Sequence, residues 1–190
     1  MTYPARLIIG ISGASGVIHG VRLLQLLQPL PIETHLVMTK TAEVTLAHET
    51  DWKVKDVKTL ADHVHAPGDL AAPISSGSFK TMGMVIAPCS MRSLGEIATG
   101  ISSSLLTRAA DVVLKERRKL VLLPRETPLH AVHLRNMATV AELGAIIAPP
   151  LPAFYNRPQT IEDIVNHTAG RVLDLFDIDP GVVKRWGESG

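Results

Sequence analysis

Five short polar clusters in this chain could do chemistry, and each follows an apolar run. Ser12-Gly13-Ala14-Ser15-Gly16 comes after Leu7-Ile8-Ile9-Gly10-Ile11 and leads into a helical pattern. It offers backbone N–H groups and hydroxyls at a positive helix terminus, which suits a phosphate. From Gly10 its spacing is G-x-x-G-x-x-G, so it is neither the dinucleotide fingerprint nor a P-loop. A tight strand-to-helix turn would need the same glycines. Thr39-Lys40 follows His35-Leu36-Val37-Met38, and Pro88-Cys89-Ser90 follows Met84-Val85-Ile86-Ala87. Arg125-Glu126, bracketed by Pro124 and Pro128, follows Leu120-Leu123 and reads either as a site pair or as a surface ion pair. The fifth cluster, Phe154-Tyr155, lies in the proline-rich stretch after Ala145-Ile146-Ile147-Ala148, where fixed backbone could hold the phenol over a ligand. Within a helix, Arg108, Asp111 and Lys115 are spaced by three and four and share one face.

Other reactive types carry less. Cys89 lacks a Cys-His-Asp pattern and reads as a small strand-end residue. Neither His63-x-His65 nor His130-x-x-His133 has partners resembling a metal site, so no metal is expected. Arg117-Arg118-Lys119 reads as a solvated helix end.

The elements that must position these groups alternate. After the first strand, Val17, Val21, Leu24 and Leu27 recur at helical spacing until Pro29. A helix is expected over Lys40 to Glu49, then a short helix and long loops over 51–83. Further helices are expected at Met91 to Ala98 and Leu105 to Arg118. Another should start at Pro128 with Thr127 as N-cap, carry Leu134, Met137 and Ala141 on one face, and end at Gly144. A last helix spans about Ile161 to Phe176. The pattern implies an α/β fold with a doubly wound, mostly parallel sheet flanked by helices, a Rossmann-like or flavodoxin-like sandwich. In such sheets the ligand sits beyond the carboxyl ends of the strands, where the five clusters fall.

Composition narrows the function classes. The 190 residues fit one domain, 1–190, with a C-terminal tail from about 177. With 19 basic and 18 acidic residues there is no basic surplus for nucleic acid. No apolar stretch reaches the roughly 18 residues of a membrane span, and the N-terminus lacks a signal-peptide pattern, so the cytoplasm is the expected compartment. A single cysteine excludes an intramolecular disulfide. Hydrophobic content of 46% with only 4% aromatics points to an aliphatic interior, and the excess suggests subunit contacts, hence a homo-oligomer.

Together the segments resemble the flavin prenyltransferase (UbiX-like) family. The stretches that carry the resemblance are Ser12 to Gly16, Glu49-Thr50-Asp51, Ser76-Gly77-Ser78, Pro88-Cys89-Ser90, Arg108 to Glu116, Leu122 to Glu126, Phe154-Tyr155 and Arg185-Trp186-Gly187. The resemblance implies transfer of a dimethylallyl group from dimethylallyl phosphate to N5 and C6 of reduced FMN, without a metal. The prenylated FMN would then serve a UbiD-type decarboxylase. It further implies that Gly13, Ala14, Ser15, Thr39, Ser90, Met91, Arg92, Ser93 and Arg125 hold FMN. Arg108, Lys115, Tyr155 and Arg171 would surround the allylic phosphate, with Trp186 helping to cover the site. Ser15, Glu49 and Glu126 would be catalytic, and neighbouring subunits would share sites. Cations and a phenol suit a leaving phosphate, and carboxylates suit the protons lost from the flavin. Many relatives carry Cys-Ser-Thr-Gly where this chain has Cys89-Ser90-Met91-Arg92, a form resembling the branch associated with phenolic-acid decarboxylases. The alternatives are an FMN-dependent cysteine decarboxylase and a non-catalytic flavin-binding subunit of an aromatic-acid decarboxylase.

Overall fold

The computed structural model describes residues 4–183, 185 and 187. Six strands form one parallel sheet: β1 (Arg6–Ile11), β2 (Glu33–Met38), β3 (His63–His65), β4 (Gly83–Cys89), β5 (Lys119–Pro124) and β6 (Ile146–Ile147). Between them run α1 (Ile18–Leu27), α2 (Lys40–Glu49), α3 (Val54–Lys58), α4 (Met91–Ala98), α5 (Leu105–Lys115) and α6 (Ala131–Glu142), and α7 (Ile161–Asp174) follows. The strand order is β3-β2-β1-β4-β5-β6, the Rossmann order. Winding reverses between β1 and β4, which opens a crevice beyond their carboxyl ends.

Alternation along the strands supplies both faces of the sheet. Leu7, Ile9 and Ile11 pack with Val21 and Leu24 of α1 and Val172 and Leu173 of α7. Ile8 turns to the opposite layer, with Leu105, Leu106, Ala109 and Val113 of α5. All these strand residues are at most 1% exposed, and each side chain so buried contributes about 1.5–3 kcal/mol. The aliphatic runs read from the sequence are thus strands covered on both faces. Local caps fix where helices start: Thr39 accepts from Ala42 N, Ser90 from Ser93 N, and Ser104 closes a capping box with Thr107.

Several expectations change. The 51–83 region holds an edge strand, β3, which no apolar run announced, because its residues are largely exposed. Helix α5 stops at Lys115, and Arg117 takes the left-handed conformation at φ 56°. Arg118 is not solvated: its guanidinium donates to Gly77 O at 2.6 Å and Phe79 O at 2.7 Å. Helix α6 begins at Ala131, not Pro128, because His130 supplies the cap, its Nδ1 accepting from Val132 N and His133 N. The Thr127–Pro128 peptide is cis. Leu134 and Ala141 are exposed and Met137 is half-buried, so Val140 alone of that helix is buried. Helix α7 ends at Asp174, but Phe176 and Ile178 still belong to the core.

Candidate active site

The crevice between β1 and β4 is built from one buried hydroxyl. Ser12, 1% exposed, donates from Oγ to Pro88 O at 2.8 Å and accepts from Ser90 N at 2.7 Å. It ties the two strand ends where the winding reverses. Beyond them lies a cavity of about 440 Å³. Its lining comes from the β1 turn (Ser12, Gly13) and the first residues of three helices. These are Thr39, Lys40 and Thr41 at α2, Ser90, Arg92 and Ser93 at α4, and Ser103 and Ser104 at α5. Pro67 and Gly68 close the side.

Three helix N-termini on one cavity concentrate positive partial charge and unpaired N–H groups, the donor set that a phosphate monoester requires. Lys40 and Arg92 add full charges. Glu96 is the one carboxylate among the described lining residues. Burial would raise its pKa, but bonds from Ser103 Oγ (2.6 Å) and Arg92 Nε (2.9 Å) outweigh that and hold it below the usual range. Its oxygens are thereby occupied, and the cavity remains suited to an anion. The residues present fit the phosphate end of FMN.

Gly13 has a specific reason to be glycine: a Cβ there would collide with the side chain of Thr41. The turn and the start of α2 can approach only without one. Gly16 sits at φ 92°, where a side chain is strained. Its N–H, at 2.8 Å, and that of Val17, at 3.3 Å, donate to Glu49 Oε2. Ala14 and Ser15 lie in this same turn. Glu49 thus joins the end of α2 to the start of α1, next to Ser15. His19 donates from Nδ1 to Gly16 O (3.0 Å). Burial pushes its pKa down, against the opposing pull of Gly16 and Glu49.

The structure brings Gly13, Thr39, Ser90, Arg92 and Ser93 to the cavity, with Ala14 and Ser15 beside them. Met91 packs on the core layer under α4. Arg125 donates its backbone N–H to Cys89 O at 3.3 Å, but its side chain, like that of Glu126, is exposed. Burial raises the Cys89 thiol to about 12, which removes it as a nucleophile.

The four residues expected around the allylic phosphate are not together in one chain. Arg108 and Lys115 lie on α5, in the layer with α4 and the 75–78 segment. Arg108 bonds Asp111 at 2.7 Å and Ser75 O at 3.3 Å, and Lys115 bonds Glu116 at 2.7 Å. Arg171 is on α7, which packs with α1 on the other face of the sheet. It bonds Asp174 and lines a second cavity, of about 310 Å³, with Ala148, Leu151 and His167. Tyr155 Oη meets His167 Nε2 at 3.2 Å on that same side. Trp186 lies outside the described residues.

Pro67, Gly68 and Ser104 also shape the cavity, and sequence reasoning did not place them there; Ser12 and Lys40 fell within the polar clusters but were not named as site residues. Ser12 and Ser104 carried a signal, as hydroxyls beside a strand end and before a helix. The reading of His63 needs an addition: β2 brings Glu33 and His35 beside it, neighbours the sequence reading did not name.

The Flavoprotein family model matches residues 1–173. The flavin prenyltransferase UbiX of Escherichia coli K12 is 60% identical over 174 residues, 91% of this chain and 92% of that protein. The crystal structure of AnUbiX (PadA1) in complex with FMN and dimethylallyl pyrophosphate superposes with a TM-score of 0.96. It is 49% identical and covers 99% of this chain and 100% of its own. A dodecameric FMN-dependent UbiX-like decarboxylase from Escherichia coli O157:H7 is 52% identical, with a TM-score of 0.94 over 96% of this chain and 100% of that one. No helix among the described residues is long and apolar enough to cross a membrane. The chain belongs to the flavoprotein family and, within it, to the UbiX-type flavin prenyltransferases.

Proposed function

We propose that this chain, acting as one flavoprotein domain in the cytoplasm, transfers a dimethylallyl group from dimethylallyl phosphate to reduced FMN. The product would pass to a UbiD-type decarboxylase. The observation that carries the reading is the anion cavity at the β1/β4 reversal, ringed by three capped helix starts. Reduced flavin, when bound, supplies the nucleophile for the prenyl carbon. The chain's own work is to bind, orient and handle protons. The turn Gly13-Ala14-Ser15 with Thr39 and Ser90 to Ser93 holds the FMN phosphate end, and Arg125 serves the same ligand. Glu49, fixed by the Gly16 and Val17 N–H groups, and Glu126 stand as proton acceptors, with Ser15 orienting the reacting edge.

The leaving phosphate needs several cations. Arg108 and Lys115 sit on one face of the sheet and Tyr155 and Arg171 on the other, so a site with all four takes them from more than one copy. The exposed apolar side chains Leu134, Leu151, Phe154 and Ile161 offer the surface for that assembly. The set of three cations and a phenol also favours an allylic phosphate donor over the cysteine-decarboxylase alternative.

The test is anaerobic incubation of purified protein with reduced FMN and dimethylallyl phosphate, followed by mass analysis of the flavin. A covalent prenyl adduct is expected. Recovery of unmodified FMN with bound flavin at full occupancy would overturn the transferase reading and leave a flavin carrier.

A further inference from the structure

We infer that Glu33, His35 and His63, on the β2–β3 edge of the sheet, form a binding site for a divalent transition-metal cation of the zinc type. Strands β2 and β3 are parallel with His35 opposite His63. Residues two apart share a face, so Glu33, His35, His63 and His65 project together.

The ligand atoms are close. Glu33 Oε1 lies 2.9 Å from His35 Nε2 and 3.5 Å from His63 Nε2, and one ligand atom from each residue falls within 4.8 Å of the others. Four-coordinate zinc with ligands at about 2.0–2.2 Å separates them by roughly 3.3–3.5 Å. The His35 and His63 rings are stacked, with centroids 4.7 Å apart and planes 21° apart, so the exposed His63 ring must turn about its χ2 for both Nε2 lone pairs to meet one ion. Two imidazoles and a carboxylate suit zinc better than calcium or magnesium, which take oxygen ligands. His63 is half-exposed, at 53%, so an ion and the water that completes its shell enter from the β3 side.

A second layer already orients the set. His35 is 3% exposed and its Nδ1 lies 2.9 Å from His65 Nε2. When the metal takes Nε2, the proton there is lost, the ring carries one at Nδ1 instead, and His65 Nε2 accepts it. A ligating histidine is normally held by such a bond at its other nitrogen. Arg6 donates from Nε to Glu33 Oε1 at 2.9 Å while its guanidinium lies over the Phe79 ring, 4.5 Å from the centroid. The carboxylate keeps further lone pairs for the ion.

The site lies away from the anion cavity. Glu33 starts β2, and Thr39 follows six residues later, about 20 Å along the strand. The ion would clamp a three-residue edge strand whose continuation, Pro67-Gly68, walls the cavity. Its effect is on the firmness of that edge, outside the prenyl transfer.

The test uses chelator-stripped full-length protein titrated with zinc chloride by calorimetry, and with cobalt(II) chloride followed by its visible absorption. One ion per protomer is expected. His63→Ala and Glu33→Gln should each weaken binding by more than about tenfold. A His130→Ala/His133→Ala variant, which removes the stacked imidazole pair at the start of α6, should bind as the parent does. Zinc should also raise the melting temperature of the parent but not of His63→Ala. No saturable binding by the parent, unchanged affinity in His63→Ala, or equal loss in the His130/His133 variant would each overturn the assignment.

Discussion

The two ends of the sheet's carboxyl edge are built differently. Beyond β1, β2 and β4 the chain finishes its own site: Ser12 joins two strands, Thr39, Ser90 and Ser104 cap three helices, and the lining is closed by Pro67 and Gly68. Beyond β5 and β6 it does not. Residues 125–130 are all exposed, α6 buries only Val140, and Leu134, Phe154 and Ile161 face outward at 53%, 74% and 79%. A helix cap is local chemistry that a few neighbouring residues complete. A site drawing on Arg108 from one face and Arg171 from the other cannot be completed locally. On the proposed reading, the contrast would give the flavin phosphate end to a single protomer and make the prenyl-donor end depend on assembly.

The sharpest way to break this comparison is to charge the uncovered surface. Val132→Asp/Leu134→Asp, at two exposed positions, should dissociate the oligomer in sedimentation and lower prenyl-transfer turnover by more than about 100-fold, as displaced catalytic groups do. FMN binding by the separated protomer should persist. Loss of both functions together would erase the distinction between the two ends.

Within the assembled protein, Arg171→Ala tests the donor end alone. A hydrogen bond to a charged group is worth about 1.5–3 kcal/mol, or roughly 10–150-fold in donor use. FMN affinity, measured by fluorescence titration, should not move. Equal weakening of both ligands would place Arg171 at the flavin.

The complementary change at the other end is Ser12→Ala. It strands the Ser90 N–H and leaves Pro88 O only the bond from the backbone N–H of residue 12 at 3.2 Å, and should cost about 1–3 kcal/mol in denaturant unfolding. Here FMN affinity should fall while the oligomer stays intact. A variant as stable as the parent would show that the strand ends hold without the bond.

How far the sequence carried the reading follows the same division. The runs at Leu7–Ile11 and Met84–Ala87 announced strands because both faces are buried and no polar residue interrupts them. Thr39 and Ser90 stood out only as polar residues closing apolar runs, and their role as helix caps came from the structure. His63-Val64-His65 was not, since an exposed three-residue edge strand has no apolar signature. Nor could spacing show that Arg108 and Arg171 fall on opposite faces, because that depends on which layer each helix joins. The start of α6 was misread for a local reason: Pro128 is suited to a first turn, but the His130 ring took the cap.

The smallest expected effect concerns how Arg171 is held. Asp174, 13% exposed, accepts from Arg171 NH1 at 2.6 Å and from Arg185 NH2 at 2.9 Å. Burial alone would raise its pKa, but the bonds from Arg185 and Arg171 outweigh it, and the carboxyl lies below its ordinary 3.8. A depressed carboxyl stabilises the fold fully above the unfolded value and loses that contribution as pH falls through the folded one. The effect therefore sits below about pH 4 and not near neutrality. Arg171 is 54% exposed and Arg185 31%, so solvent screens both pairs and the contribution is about 1 kcal/mol or less. Asp174→Asn should flatten the acid limb of unfolding free energy against pH by that amount. It should also release Arg171, leaving FMN binding alone and changing only the KM for the prenyl donor. A variant whose acid limb matches the parent's would mean that Asp174 leaves Arg171 free to meet a phosphate without help.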